Sequence, residues 1–226
     1  TRLGLPGIPE AAETVAVARD LALIEQTGCR AHFCGLSSAR AVAMVAAAQK
    51  RGLPVSADAT AHHLHLTEHD ISDFDTQCHV RPPLRSKRDR EALRRALKSG
   101  VLGAVCSDHQ PHEPDAKLAP FAQSEPGISA LETLLPLTLK LVDENVLELV
   151  EAIALLTSKP ARILGIEAGQ LSVGATADVC VFDPKANWTL TEDQIRSRGH
   201  NTPFLGWEFR GRVTHTLVGG KVVFEL

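Results

Sequence analysis

VLGAVCSDHQPH, residues 101–112, is an apolar run that follows the break at Gly100 and ends abruptly in Ser107, Asp108 and His109, with His112 four residues past Asp108. A short run of this kind reads as a buried parallel strand with a polar cluster at its C-terminal end. In barrel enzymes that end carries the chemistry. A carboxylate there can bind a metal or move a proton, and imidazoles beside it can hold an anion or a further ligand. The bland alternative is a loop that happens to be rich in histidine.

Working outward, residues 10–26 (EAAETVAVARDLALIEQ) carry apolar residues at helical spacing, follow Pro9 and stop at Thr27-Gly28. Cys29 to Cys34 reads as a short strand, Ala39 to Lys50 as an alanine-rich helix capped by Ser37 or Ser38, and Pro54 to Ala59 as a second strand. Thr67 to Asp70 has the pattern of a capping box, Arg81-Pro82-Pro83 interrupts regular structure, and Ser86 to Asp89 opens a helix that runs to Lys98 and feeds the strand Val101–Cys106. Strands alternating with helices predict a parallel α/β layer. Helices follow around Ile128 to Val142 and Val146 to Leu156. After Gly165 the texture changes to short β-type runs, Ala177 to Phe182, Gly211 to Val218 and Lys221 to Phe224, so the expected division is an α/β part over 1–165 and a small β part over 166–226.

Composition narrows the class of partner. The 226 residues are 44% hydrophobic, enough for a substantial core, and a net charge of −3 with scattered Lys and Arg predicts no binding to nucleic acid or to anionic membrane. No apolar run approaches the roughly 20 residues that span a bilayer. The five cysteines are odd in number and form no CxxC pair, which argues against a disulfide framework and for a cytoplasmic location. The chain opens on Thr1, so it is expected to be a piece of something longer.

The three expected strands end in ionisable groups at one sheet edge: His32-Phe33-Cys34-Gly35, Asp58 to His63, and Ser107 to His109. Metal-dependent hydrolases built on barrels collect ligands from separate strands in this manner. Strand alternation sends His32 and Cys34 to the same face. His62, His63 and His65 read as a polar loop partly packed on Leu64 and Leu66, and Cys34 taken alone reads as a small buried hydrophobe.

Gly7 to Glu10, His32 to Cys34, His62-His63-Leu64, Arg81-Pro82-Pro83-Leu84-Arg85, Ser107 to His112, Asn201-Thr202-Pro203-Phe204 and the closing Val-Gly-Gly-Lys-Val together resemble the class I dihydroorotases of the amidohydrolase superfamily. The resemblance covers essentially the whole chain and implies the C-terminal portion of such an enzyme: an α/β fold with a partial (β/α)8 TIM-type barrel, strands six to eight, followed by part of a small β-sandwich. The family's His-x-His on strand one, its bridging Lys or Asp and its strand-five His would lie ahead of Thr1. The implied reaction interconverts dihydroorotate and N-carbamoyl-L-aspartate in pyrimidine synthesis by metal-activated water, with zinc as the cofactor. Asp108 matches the aspartate that binds metal and shuttles the proton, and is thus both the catalytic and a metal residue. His112, Arg81 and the Pro126-Gly127 turn match substrate contacts.

Two departures accompany the match. The family's strand-six zinc ligand falls on Gly35, which has no side chain to coordinate an ion, and Arg81 stands where the family has Asn. Asp58 occupies a position where some members use Glu as an additional ligand beside Cys34, so a shifted metal site on Cys34, Asp58 or His32 is a further expectation. Two functions follow from the resemblance: a zinc-dependent cyclic amidohydrolase acting on a small-molecule substrate, or a non-catalytic homologue serving as scaffold subunit for aspartate transcarbamoylase. A hydantoinase-type hydrolase shares the chemistry but not the Asn201 to Phe204 element and ranks last. An incomplete barrel also exposes sheet edges, which predicts self-association or retention of a missing N-terminal half.

Overall fold

The computed structural model describes residues 3–5 and 7–226. Helix α1 (Glu10–Thr27) starts after extended Pro9, carries Glu10 and Glu13 in its first turn where the helix dipole favours acids, and ends at Gly28, whose N–H bonds the Ile24 carbonyl. Its buried stripe is Thr14, Val17, Leu21 and Ile24. Strand β1 (Ala31–Phe33) leads to α2 (Ala39–Lys50), where the Ser38 hydroxyl accepts the Ala41 N–H and Ala41, Val42, Val45 and Ala48 face inward. Strand β2 (Val55–Thr60) and, after α3 (Lys87–Lys98), strand β3 (Ala104–Cys106) complete a parallel sheet of order β1-β2-β3. The expected strands are therefore present but shorter at their starts, because Cys29, Arg30 and the Val101–Leu102 turn lie ahead of the paired registers Ala31↔Val55 and Asp58↔Ala104.

Polar side chains seal the helix entries to one another. Ser86 and Asp89 form a capping box on α3, and Asp89 Oδ1 also accepts the Ala39 N–H at the start of α2, 2.9 Å away. Glu13 of α1 accepts from the N–H and hydroxyl of Ser37, while Arg85 Nε donates to Ser37 Oγ and Arg85 Nη1 to the Ile8 carbonyl. The entry ends of three helices are thereby locked at the sheet edge where the strands terminate.

The histidine loop departs from expectation. His62, His63 and His65 are core residues, 1%, 2% and 7% exposed. His63 Nδ1 meets Thr60 Oγ1 at 2.6 Å and its Nε2 faces the Pro83 carbonyl, while His65 Nε2 faces the Leu137 carbonyl at 2.8 Å. Arg94 Nε donates to the Leu64 carbonyl and pins the turn from α3. Burial drives the His63 pKa down to about 4 and that of His65 to about 3, and lowers His62 as well, so the three imidazoles are neutral. Polarity misled the sequence reading here: neutral imidazoles pack like other core residues, His63 and His65 with carbonyl and hydroxyl partners and His62 with neither ring nitrogen hydrogen-bonded.

Beyond β3 come the short α4 (Asp115–Leu118), α5 (Leu131–Asp143), α6 (Leu149–Ala154) and α7 (Ser158–Leu164), the last not anticipated from sequence. An antiparallel sheet follows, β4 (Val179–Thr189), β5 (Glu208–Val218) and β6 (Lys221–Glu225), with β5 and β6 joined through Gly219-Gly220. Between β4 and β5 the chain returns to the α/β body: Leu190, Ile195 and Phe204, with Phe209 at the start of β5, belong to the same buried cluster as Leu64 and Leu93. The opposite end of the sheet is bare, with Val222 57% and Val223 61% exposed on alternate faces of β6. Among the described residues no helix is long and apolar enough to cross a membrane.

Candidate functional site

Parallel pairing fixes what meets at the strand ends. His32 pairs with Ser56 and Phe33 with Ala57, so the next step of the register sets Cys34 beside Asp58, while Thr60 pairs with Cys106. One ligand atom from each of His32, Cys34 and Asp58 lies within 4.8 Å of the others. Asp58, 6% exposed, anchors the group. Its Oδ2 is 2.9 Å from His32 Nε2, its Oδ1 accepts the Gly35 N–H at 2.6 Å, and the Cys106 thiol points at Oδ1 from 3.4 Å. His32 Nδ1 lies 2.7 Å from Ser56 Oγ. Cys34 is exposed, contrary to its reading as a buried hydrophobe. Partial burial and the Asp58 charge raise its pKa, and the same two causes push the Cys106 thiol up strongly.

Asp108 follows β3 at φ 47, a left-handed conformation that costs a non-glycine residue free energy and is characteristic of functional loops. Gln110 Nε2 donates to its Oδ1 at 3.1 Å. His112 turns its Nε2 to the Pro126 carbonyl at 3.1 Å, so the structure joins His112 to the Pro126-Gly127 turn. Gly127 has φ 136, and a Cβ there would stand 2.5 Å from Gln110 Cβ, so only glycine fits. Its N–H bonds the His79 carbonyl at 2.8 Å.

Asn201, 4% exposed, holds this loop together. Its Oδ1 accepts the His112 N–H at 2.7 Å, and its Nδ2 donates to the carbonyls of Gln110 and Gly127 at 2.9 and 3.0 Å. The sequence reading assigned Asn201 no role beyond the Asn-Thr-Pro-Phe pattern; an amide with one acceptor and two donors is the side chain that satisfies three backbone groups from two separate loops. Lys117, also missed, is buried and donates to the carbonyls of Thr76 and Glu125, tying the approach to Pro126.

Among the described residues Arg81 forms no ion pair with Asp108. It is exposed and lines a cleft of about 660 Å³ with Leu5, Ile8, His79 and Phe121. The residues expected to act together thus fall into a donor group on β1 to β3, a loop group around Asp108, and Arg81 at the cleft. Asp108 adjoins the first group closely enough for its charge to bear on Cys106.

As a donor set, nitrogen, sulfur and oxygen at His32, Cys34 and Asp58 suit a zinc-class ion. Asp108 belongs to no group of three such donors among the described residues, and Gly35, at φ 63, contributes only its backbone.

The profile of the amidohydrolase family matches residues 5–223. A dihydroorotase-like protein of Pseudomonas putida is 53% identical over 220 residues, covering 97% of this chain and 52% of its own length. A dihydroorotase of Syntrophus aciditrophicus is 45% identical over 225 residues, covering 100% of this chain and 53% of its own length. Among solved structures, the L-hydantoinase (dihydropyrimidinase) of Arthrobacter aurescens superposes with TM-score 0.90 at 29% identity, covering 96% of this chain and 49% of that one. The chain spans about half the length of the curated relatives it matches. A parallel sheet with ionisable groups at its C-terminal edge, joined to an antiparallel sheet and matched along nearly its whole length, has one family assignment: the chain belongs to the amidohydrolase family.

Proposed function

We propose that this chain is part of a dihydroorotase-type cyclic amidohydrolase that interconverts dihydroorotate and N-carbamoyl-L-aspartate in the cytoplasm. In this reading β1, β2 and β3 are barrel strands six to eight within residues 1–165, and 166–226 are part of the flanking β-sandwich. The carrying observation is Asp108, held at φ 47 past the end of β3 with Oδ1 engaged by Gln110 and Oδ2 left to accept a proton. Its relatives named dihydroorotase, at 45% identity, support the substrate class.

Zinc, when bound, would supply Lewis acidity to the attacking water and to the amide carbonyl. Asp108 would contribute to holding it, with further ligands from outside this chain. The carboxylate takes the proton of the attacking water and delivers it to the departing ring nitrogen, so the amide C–N bond breaks as the C–O bond forms. His112, its Nε2 committed to Pro126, offers Nδ1 to the substrate, and the Gly127 backbone can approach the ring closely because no Cβ intervenes. Arg81, exposed at the cleft, offers a guanidinium to the substrate carboxylate.

The test is carbamoyl aspartate formation by the whole protein. Asp108→Asn removes the proton acceptor and is expected to lower turnover roughly 10²- to 10⁴-fold, while His112→Ala should act mainly on KM. Unchanged turnover in Asp108→Asn would remove the assignment. Gly35 favours a second reading, a non-catalytic scaffold for aspartate transcarbamoylase, since it offers no side chain to a metal; two relatives carry the name dihydroorotase-like protein. Co-purification with aspartate transcarbamoylase, with no turnover in the wild type, is the outcome that selects it.

A further inference from the structure

We infer that Asn201 is a positioning residue for substrate binding, acting through His112 and Gly127, so that the segment between β4 and β5 sets the affinity of a site built on the α/β part. The substrate in this inference rests on the hydrolase reading, whereas the clamp itself does not. His112 is gripped at two atoms, its N–H by Asn201 Oδ1 at 2.7 Å and its Nε2 by the Pro126 carbonyl at 3.1 Å, which leaves ring Nδ1 to the substrate. Gly127 has both polar backbone groups committed, the N–H to the His79 carbonyl and its own carbonyl to Asn201 Nδ2 at 3.0 Å. What this loop offers a ligand is therefore position, and Asn201 fixes it at His112 and at Gly127 together.

The segment that carries Asn201 is itself firmly held. Glu132 of α5 accepts from the N–H groups of Arg196 and Ser197, both at 2.8 Å, and from the Ser197 hydroxyl. The Asn201 carbonyl accepts the Ser129 N–H at 2.8 Å, two residues past Gly127. A Cβ on Gly199 would stand 2.5 Å from the His112 nitrogen and 2.6 Å from its oxygen, so segment and loop meet backbone to backbone, an approach that only glycine allows. On the other flank of the Pro126-Gly127 turn, Lys117 Nζ donates to the Glu125 carbonyl at 2.6 Å.

A purely structural role explains less. Asn201 is 4% exposed, and a buried amide costs more than an apolar side chain of similar size unless its polar atoms are all paired. Here every one of its side-chain bonds goes to the two loops, to Gln110 and His112 on one and Gly127 on the other. Asp108 is a step further removed, since Gln110 donates its side-chain amide to Asp108 while its carbonyl takes a bond from Asn201. Loosening the clamp should therefore disturb substrate binding before it disturbs proton transfer.

Steady-state kinetics of the whole protein with dihydroorotate test the inference. Asn201→Asp keeps the acceptor for His112 but loses the donors to Gln110 and Gly127 and sets a charge against their carbonyls. Gly199→Ala leaves Asn201 in place and forces the segment away from His112. Each should raise KM roughly 10- to 100-fold while kcat per folded enzyme stays within about threefold, and Cys180→Ser should change neither. A merely structural role lowers the folded fraction and with it the apparent kcat at an unchanged KM, and that result overturns the inference. A wild type without turnover instead sinks the hydrolase reading, and amide hydrogen exchange then decides the clamp. The His112 N–H should be protected in the wild-type chain and exchange roughly tenfold faster or more in Asn201→Ala, with the β2 amides unchanged. Equal exchange in that variant, or an unprotected His112 N–H in the wild type, overturns the positioning role without recourse to activity.

Discussion

The short, alanine-rich parallel strands β1 to β3 and the longer antiparallel strands β4 to β6 end up in opposite conditions. In the first, α2 packs on β2, with α1 and α3 packed on α2; Ala57 and Ala59 of β2 and Leu93 and Leu97 of α3 are buried, and the ionisable groups gather at one edge. The second is anchored at one end by Trp188, Phe204, Trp207 and Phe209, whose rings lie 5.0–6.5 Å apart, and is bare at the other. Parallel strands need crossovers, and the crossover helices themselves seal the sheet; hairpin strands bring no cover with them. Exposed valines on both faces of β6 are what a sheet shows when its covering layer comes from elsewhere, either the rest of a longer protein or a second copy.

The sharpest break in the comparison concerns turnover. On the proposed division this chain carries only part of a barrel mouth, so with added zinc it is expected to form no carbamoyl aspartate, and robust turnover by the purified chain would overturn that division. Next in size is packing. Leu93→Ala, in the sealed layer, should cost about 2–5 kcal/mol, whereas Val223→Ser on the bare strand should stay within about 0.5 kcal/mol. Urea unfolding reads both. A large loss in Val223→Ser would mean that the antiparallel sheet is covered in solution after all.

Acid should strike the parallel layer first. His63 and His65 have folded pKa values of about 4 and 3 against 6.5 when unfolded, so the unfolded chain binds more protons below pH 6.5. Stability is unaffected by these groups above pH 6.5. It falls by up to about 1.4 kcal/mol per pH unit for each as pH drops toward the folded value, then levels off. His62→Phe should reduce the slope, and an identical slope in that variant would show that its burial is not responsible. A modest effect is expected at Gly35. Its φ of 63 penalises any side chain, although the nearest atom to an added Cβ is Thr60 Cγ2 at 3.9 Å, so Gly35→His should cost roughly 1–2 kcal/mol through backbone strain alone. Thermal unfolding measures the cost. If the ion site extends to this position, zinc recovers part of the loss.

The helices α1, α2 and α3, the alternation of strands with them and the change of texture after Gly165 were all legible, because caps, apolar spacing and glycine stops are local signals. Strand starts were not, since pairing rather than propensity decides where a ladder begins. Helix α7 escaped for a related reason: Ser158–Leu164 includes Pro160 and has only Ala161 buried, so it lacks an apolar stripe to read.

The sequence by itself determined which chemistry each strand end carries: His32 and Cys34, Asp58, then Asp108 and His112. Only the tertiary structure decided which of these meet. The β1–β2 register brings Asp58 to His32 and Cys34 across more than twenty residues, the β2–β3 register adds Cys106, and Asn201 reaches back to His112 and Gly127 from the segment between β4 and β5. It also decided that His62, with neither ring nitrogen hydrogen-bonded, is core rather than surface. Local propensity depends on neighbours along the chain, whereas a donor group, a clamp or a buried imidazole is a property of neighbours in space, set by the packing of elements that the sequence specifies one at a time.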